Sequence, residues 1–202
     1  MSEHDSFWRT IYTRRSIRRY SDQPIPRSLL ERLLTAAIWA PNAHNRQPWR
    51  FAAVTERSIQ QQLADGMADR WEQDLLADGL DSEKVQAQVE RSRARIMRAG
   101  ALVVGCLTMR EMDHYPDGHR QRQEWHMAVQ STSLALGQLL LAAHHEGLGA
   151  CWMCAPLFVP DIVQDVLDLP ADWEPQALIT LGYAAEIKKK TRKPLEEVVL
   201  WQ

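Results

Sequence analysis

The sequence predicts a three-layer domain of the α+β or α/β class, with helices covering a central sheet. Two observations carry this. Ala101–Met109 (ALVVGCLTM) is an apolar run with β-branched residues, the pattern of a strand covered on both faces. Gln176–Tyr183 is a second apolar strand, and segments with helical periodicity separate the strands along the chain.

Each element has its own signal. Residues 4 to 13 read as a short helix that ends before a basic run, Arg14, Arg15, Ser16, Ile17, Arg18 and Arg19. Tyr20–Pro26 is a turn region with two prolines. Leu29, Leu30, Leu33, Leu34, Ala37 and Ile38 fall on one helical stripe, so a helix runs from Arg27 to about Ala40. Pro41 ends it, because proline disfavours helix at the residue before it. A polar segment, Asn42 to Gln47, then lies between Pro41 and Pro48, and Arg50–Thr55 follows as a short strand.

Residues 56 to 98 are helical and strongly charged. Gly79 divides them, Asp81 caps the second piece, and Arg91, Arg93, Arg95 and Arg98 make its later half basic. Arg110–Arg120 reads as a polar loop. Gln123–Glu146 is the longest helix, apolar over much of its circumference and therefore a core helix, with Gly147 closing it. Ala150–Cys154 is a short strand, and Pro160 opens a helix to about Leu169. From Ala184 the chain carries a basic stretch, Pro194, and a last apolar piece, Val198–Trp201.

The bulk composition narrows the function. With 202 residues the chain is most simply one domain. A formal net charge of -2 supplies no global field toward nucleic acid or anionic membrane, so neither is expected as a partner. No apolar run reaches the length of a membrane span, and MSEHDSFWRT has no apolar leader core. Cys106, Cys151 and Cys154 are too few for a disulfide framework, which points to a reducing cytoplasm.

Two basic clusters stand out. Arg14-Arg15-Ser16-x-Arg18 sets fork-shaped donors and a hydroxyl within five residues, a composition that suits phosphate oxygens or a solvated turn. Lys188-Lys189-Lys190-Thr191-Arg192-Lys193 reads alone as a solvated tail. Together, the two clusters can converge on one anionic ligand. No glycine-rich dinucleotide fingerprint and no Walker loop is present, so a nucleotide-like ligand has to be held by side chains. Cys151-Trp152-Met153-Cys154 has redox-pair spacing but sits in an apolar strand, so its cysteines read as buried and structural. His114 and His119 with Asp113 and Asp117 are weak as a metal set, and no metal site is expected. His144-His145 at a helix end reads as a complement to the helix dipole.

Four segments in order resemble the FMN-dependent nitroreductase family over nearly the whole chain: RRSIRRY (14–20), APNAHNRQPWRF (40–51), GLGACWM (147–153) and KKKTRKPLEEVV (188–199). The resemblance implies a three-layer α/β/α fold with a central mixed sheet, a homodimer, and a single FMN-binding domain over 1–202 with a helical insert at about 65–98. It implies that Arg14, Arg15, Ser16 and Arg18 hold the phosphate and ribityl chain of FMN. It implies that Asn42, Ala43 and Asn45, with Gln130 on the long helix, reach the flavin of the partner subunit. Trp152, Met153 and Cys154 fall where backbone packs against the flavin ring near its N5 edge. Lys190 and Arg192 fall near the phosphate or the pyrimidine side of the ring. The sequence departs from the family where Asn42 and Ala43 replace a common serine, and where Cys154 and Ala155 replace a common glutamate and glycine.

A narrower likeness covers WAPNAHNRQPWRF, the insert 65–98, MDHYPD (112–117) and GACWMCAPLF (149–158). These resemble the nitroreductase-like domain of a bifunctional deazaflavin coenzyme biosynthesis enzyme and its free-standing relatives. Three functions stay open. One is an FMN oxidoreductase acting on a deazaflavin or its dehydro precursor. The second is a broad nitroaromatic or quinone reductase using a nicotinamide coenzyme as donor. The third is a flavin- or deazaflavin-binding module without turnover. Hydride transfer needs no dedicated protein acid or base, so no catalytic residue is named. The basic helix 81–98 and Trp71 are expected to cover the open face of the ring and to favour a polyanionic acceptor.

Overall fold

The computed structural model describes residues 3–202. Helices α1 (Glu3–Thr13) and α2 (Arg27–Ile38) lead to a short 3-10 turn at Ala43–Asn45 and strand β1 (Trp49–Val54). Helices α3 (Arg57–Ala77) and α4 (Ser82–Met97) precede β2 (Ala101–Leu107), and α5 (Gly118–His145) precedes β3 (Leu148–Met153). A 3-10 turn at Ala155–Leu157, α6 (Pro160–Leu167) and β4 (Glu174–Tyr183) follow. The four strands lie in the order β1-β2-β4-β3 and pair antiparallel throughout. The parallel pairing expected of a mixed sheet is confined to one bridge, Ser16 to Ala150, outside the β3 edge.

Alternation along the strands builds the layers. Ala101, Val103, Ala177, Ile179 and Leu181 face α2 and α5 and meet Leu33, Leu136 and Leu139. Leu102, Val104, Cys106 and Leu178 face the other way and meet Leu63 and Met67 of α3, Ile96 of α4 and Val163 of α6. Strands buried on both faces read as continuous apolar runs, which is why β2 and β4 were visible in the sequence. Burial also pushes the Cys106 thiol up to about 12, so it stays protonated.

The N-terminus of the long helix differs from expectation. α5 starts at Gly118 instead of Gln123, because the Asp117 side chain accepts from the Arg120 amide and caps it. Asp81 caps α4 in the same way, accepting from the Lys84 amide. No helix among the described residues is long and apolar enough to cross a membrane.

Candidate functional site

The basic motif after α1 is held against the sheet edge by two glycines. Gly149 and Gly182 face each other across β3 and β4. A Cβ at Gly149 would lie 2.8 Å from Ile17, and one at Gly182 2.6 Å from the Tyr20 ring. Bare backbone here lets residues 16–20 lie directly on the strands. Tyr20 fixes the segment further: its hydroxyl donates to the Ile17 carbonyl at 2.6 Å and shares a hydrogen bond with Thr180 Oγ1 at 2.7 Å. The Ile17 amide donates to the Ala150 carbonyl at 2.9 Å.

This anchoring brings the two basic clusters together. Arg15 Nη1 donates to the carbonyls of Tyr12 and Arg14, both at 2.7 Å, and Nη2 reaches the Lys190 carbonyl at 3.5 Å. Its Nε is buried and has no partner. Burial holds the Arg14 guanidinium below its ordinary basicity, and the charges of Arg192 and Arg15 add to that. Arg18 is exposed, and its backbone amide donates to Glu186 Oε1 at 2.8 Å. Ser16 forms the bridge to Ala150, and Lys190 and Arg192 are exposed on the tail. Arg14, Arg15, Arg18 and Arg192 form no ion pair among the described residues. Like charges gathered without a counter-ion, beside an orphaned buried donor, are chemically suited to phosphate oxygens.

Two groups named in the sequence for other roles act near this cradle. Arg95 of α4 lies close enough that its charge acts on the Cys151 thiol alongside those of Arg18 and Arg14, though burial still raises that thiol overall. His144 shares a 2.7 Å hydrogen bond with Thr13 Oγ1. Burial, and then Arg14 and Arg15, lower the basicity of His144, which lies in the last turn of α5.

Beyond the cradle, β3 leads to the remaining ring-side positions. Trp152 and Met153 are half-buried, and Met153 packs on the core layer that contains Leu63, Met67, Ile96 and Val163. Cys106 and Cys151 are buried as expected, but Cys154 is exposed and accepts from Trp152 Nε1 at 3.2 Å. Cys154 and Ala155 then form part of the wall of a cavity of about 520 Å³, closed on its other sides by α3 and α4. Trp71 and Phe158 are exposed large aromatics lining it.

Asn42, Ala43, Asn45 and Gln130 are grouped, but elsewhere. Asn42 Oδ1 accepts from the Gln47 amide at 2.9 Å, and the Ala43 amide donates to Ser131 Oγ at 3.2 Å, next to the exposed Gln130. Arg46 pairs with Asp113 and ties the same loop to the segment before α5. His44, Asn45 and Gln47 all adopt left-handed backbone, with φ of 50, 54 and 49. This loop enters β1, at the opposite edge of the sheet from β3. Three strand spacings of ~4.8 Å place the edges roughly 14 Å apart. One chain therefore does not bring the asparagine loop onto its own basic cradle.

The arginines of α4 do not line the cavity either. Arg93 pairs with Asp65, Asp69 and Glu90, and Arg70 of α3 pairs with Asp161. The charged side chains lining it, among the described residues, are Asp74 and Asp78.

Known proteins share this architecture. Residues 11–183 match the model of the nitroreductase family, and the chain belongs to that family. It is 34% identical to a protein named NADH dehydrogenase from Thermus thermophilus, over 94% of this chain and 92% of the relative. A solved structure from Desulfovibrio desulfuricans, described as a nitroreductase in complex with FMN, superposes with a TM-score of 0.74 at 25% identity, covering 97% of this chain and 96% of that one. A BluB-like flavoprotein of Clostridium difficile shares the fold, with a TM-score of 0.77 at 20% identity over 100% and 99% of the two chains.

Proposed function

We propose that this chain takes hydride from a nicotinamide coenzyme and passes it, through FMN, to a small aromatic acceptor. It is an FMN-dependent oxidoreductase. The observation that carries the reading is the meeting of Arg14 and Arg15 with the tail, at Arg192 and the Lys190 backbone, beside a buried Arg15 Nε that has no protein partner, with Arg18 following in the same segment. Those side chains fit a phosphate-bearing cofactor. When bound, FMN supplies a two-electron carrier between donor and acceptor.

The protein's own part is binding and placement. Arg14 and Arg18 hold the phosphate, and the Gly149–Gly182 pair fixes the backbone that carries them. Trp152 to Cys154 lies along the ring, and Lys190 favours negative charge developing on it. Asn42, Ala43, Asn45 and Gln130 serve the cofactor of a second copy. This reading is supported by their position at the far edge of the sheet. The functional unit is thus a homodimer.

The donor assignment draws on the Thermus relative's name, NADH dehydrogenase. A deazaflavin coenzyme or its dehydro precursor is the second reading for the acceptor. It is favoured by the subgroup-like segments 39–51 and 149–158.

The test is direct. Purified protein should be yellow and hold about one FMN per chain, and NADH or NADPH should bleach it. Re-oxidation by a nitroaromatic or a quinone supports the first acceptor class, and re-oxidation by an oxidised deazaflavin alone supports the second. A colourless protein that takes up no added FMN ends both.

A further inference from the structure

The cavity between α3, α4 and the 155–157 turn faces the ring-side residues Cys154 and Ala155, and its charge is opposite to that of the cradle. We propose that this cavity is the acceptor subsite and that Asp74 and Asp78 select flat aromatic acceptors that are neutral or cationic, against polyanionic ones. The inference rests on the FMN reading above and adds the acceptor's chemical class.

Three observations carry it. The cavity holds about 520 Å³, a volume suited to one small ligand, and apolar side chains including Met67, Leu75 and Ile96 line it. Trp71, Asp74 and Leu75 of α3 and its C-cap residue Asp78 all line the cavity and follow the i, i+3, i+4, i+7 spacing of one helix face. That face therefore offers an aromatic surface and two carboxylates to the same ligand. Neither carboxylate has a cationic partner among the described residues, whereas Asp65 and Asp69 on the same helix are paired with Arg93.

The physics then favours one sign. A cationic ring is attracted by both carboxylates and by the π-face of Trp71. A neutral ring gains the apolar burial alone. A carboxylate-bearing or phosphate-bearing acceptor meets two like charges with no arginine lining the cavity to offset them. Asp74 and Asp78 are exposed at the cavity mouth, so the discrimination should weaken as salt rises.

The test uses three probes with one ring and different charge: 4-nitrobenzyl alcohol, 4-nitrobenzoate and (4-nitrophenyl)trimethylammonium. Their Kd is read by quenching of tryptophan fluorescence, on both the FMN-loaded and the FMN-free protein. Turnover with NADH gives KM for each on the loaded protein. The cation should bind about tenfold or more tightly than the anion at low salt, with the neutral probe between them. Asp74→Asn/Asp78→Asn should bring the cation-to-anion ratio to within about twofold, as should salt of about 0.5 M. FMN affinity should be unchanged in that variant. An anion bound as tightly as the cation, or a ratio that survives the double substitution, overturns the proposal. Failure to take up FMN sinks the flavin reading instead, and the charge series on FMN-free protein separates the two outcomes.

Discussion

Arg15 shows how one side chain joins distant parts of the sequence. Its Nη groups tie the end of α1 to the Lys190 carbonyl, while its Nε stays buried and unpartnered. Around it, Arg14 and Arg18 are the charges free to meet a phosphate. Replacing either with Ala removes charge-assisted hydrogen bonds of roughly 1.5–3 kcal/mol. FMN affinity should fall about tenfold to a hundredfold, and riboflavin affinity should barely change. Titration of both ligands into each variant checks this, and equal loss for the two ligands would move these arginines from the phosphate to the ring or the fold. His144 sets a pH dependence nearby. Its folded basicity lies below the ordinary value of 6.5, so the unfolded chain binds the proton more readily. Its contribution to stability is therefore full above about pH 6.5 and is lost as pH falls toward the folded value. Thermal unfolding between about pH 7.5 and 5 should show this decline, and His144→Gln, which keeps a polar partner for Thr13 but does not titrate, should flatten it.

At the scale of elements, the asparagine loop stores backbone strain. His44 and Gln47 hold left-handed φ without being glycine, at a cost of about 1–2 kcal/mol each. The Asn42 side chain and the Ala43–Ser131 hydrogen bond hold the loop in place. Gln47→Gly should raise the unfolding free energy by up to about 1 kcal/mol, the relieved strain less the entropy cost of glycine, measured by denaturant titration. Much of this scale was legible in the sequence. The strands β2 and β4 announced themselves because both of their faces are buried, and Asp81 and Pro160 marked helix starts. The first turn of α5 was hidden, since its residues are polar and solvated and give no apolar period; the Asp117 cap was the available signal. Exposure of Cys154 was hidden too. It follows from the chain leaving β3 for the 155–157 turn, a change of direction that composition does not encode. The acidic lining of the cavity depends on how two charged helices pair, and α4 read as basic because two of the three partners of Arg93, Asp65 and Asp69, sit on α3.

The whole molecule exposes more apolar surface than one chain uses. Phe7, Trp8 and Tyr12 on α1, Trp39 after α2, and Leu195, Val198, Leu200 and Trp201 on the tail are all exposed. A groove of about 920 Å³ between α1, α2 and α5 lies among the helical part of this set. Extended exposed apolar surface marks an interaction face. The chain should therefore sediment as a homodimer, and removing residues 194–202 should shift it toward monomer and release flavin. An FMN-loaded monomer would count against the shared site. The convergence of the basic clusters was not legible beyond the resemblance, because 175 residues separate Arg15 from Lys190 and only the sheet edge brings them together.

The unneutralised guanidinium groups at that edge also tie the protein's lifetime to its cofactor supply. Without an anion, Arg14, Arg15 and Arg192 repel one another at the point where the tail joins the body. A ligand that binds only the folded chain stabilises it by mass action, by about 2.7 kcal/mol at a hundred times Kd. Melting temperature should therefore climb with FMN concentration and climb much less with riboflavin. At low FMN a larger fraction of the chains is unfolded and open to proteolysis, so the protein's abundance should fall together with the FMN pool.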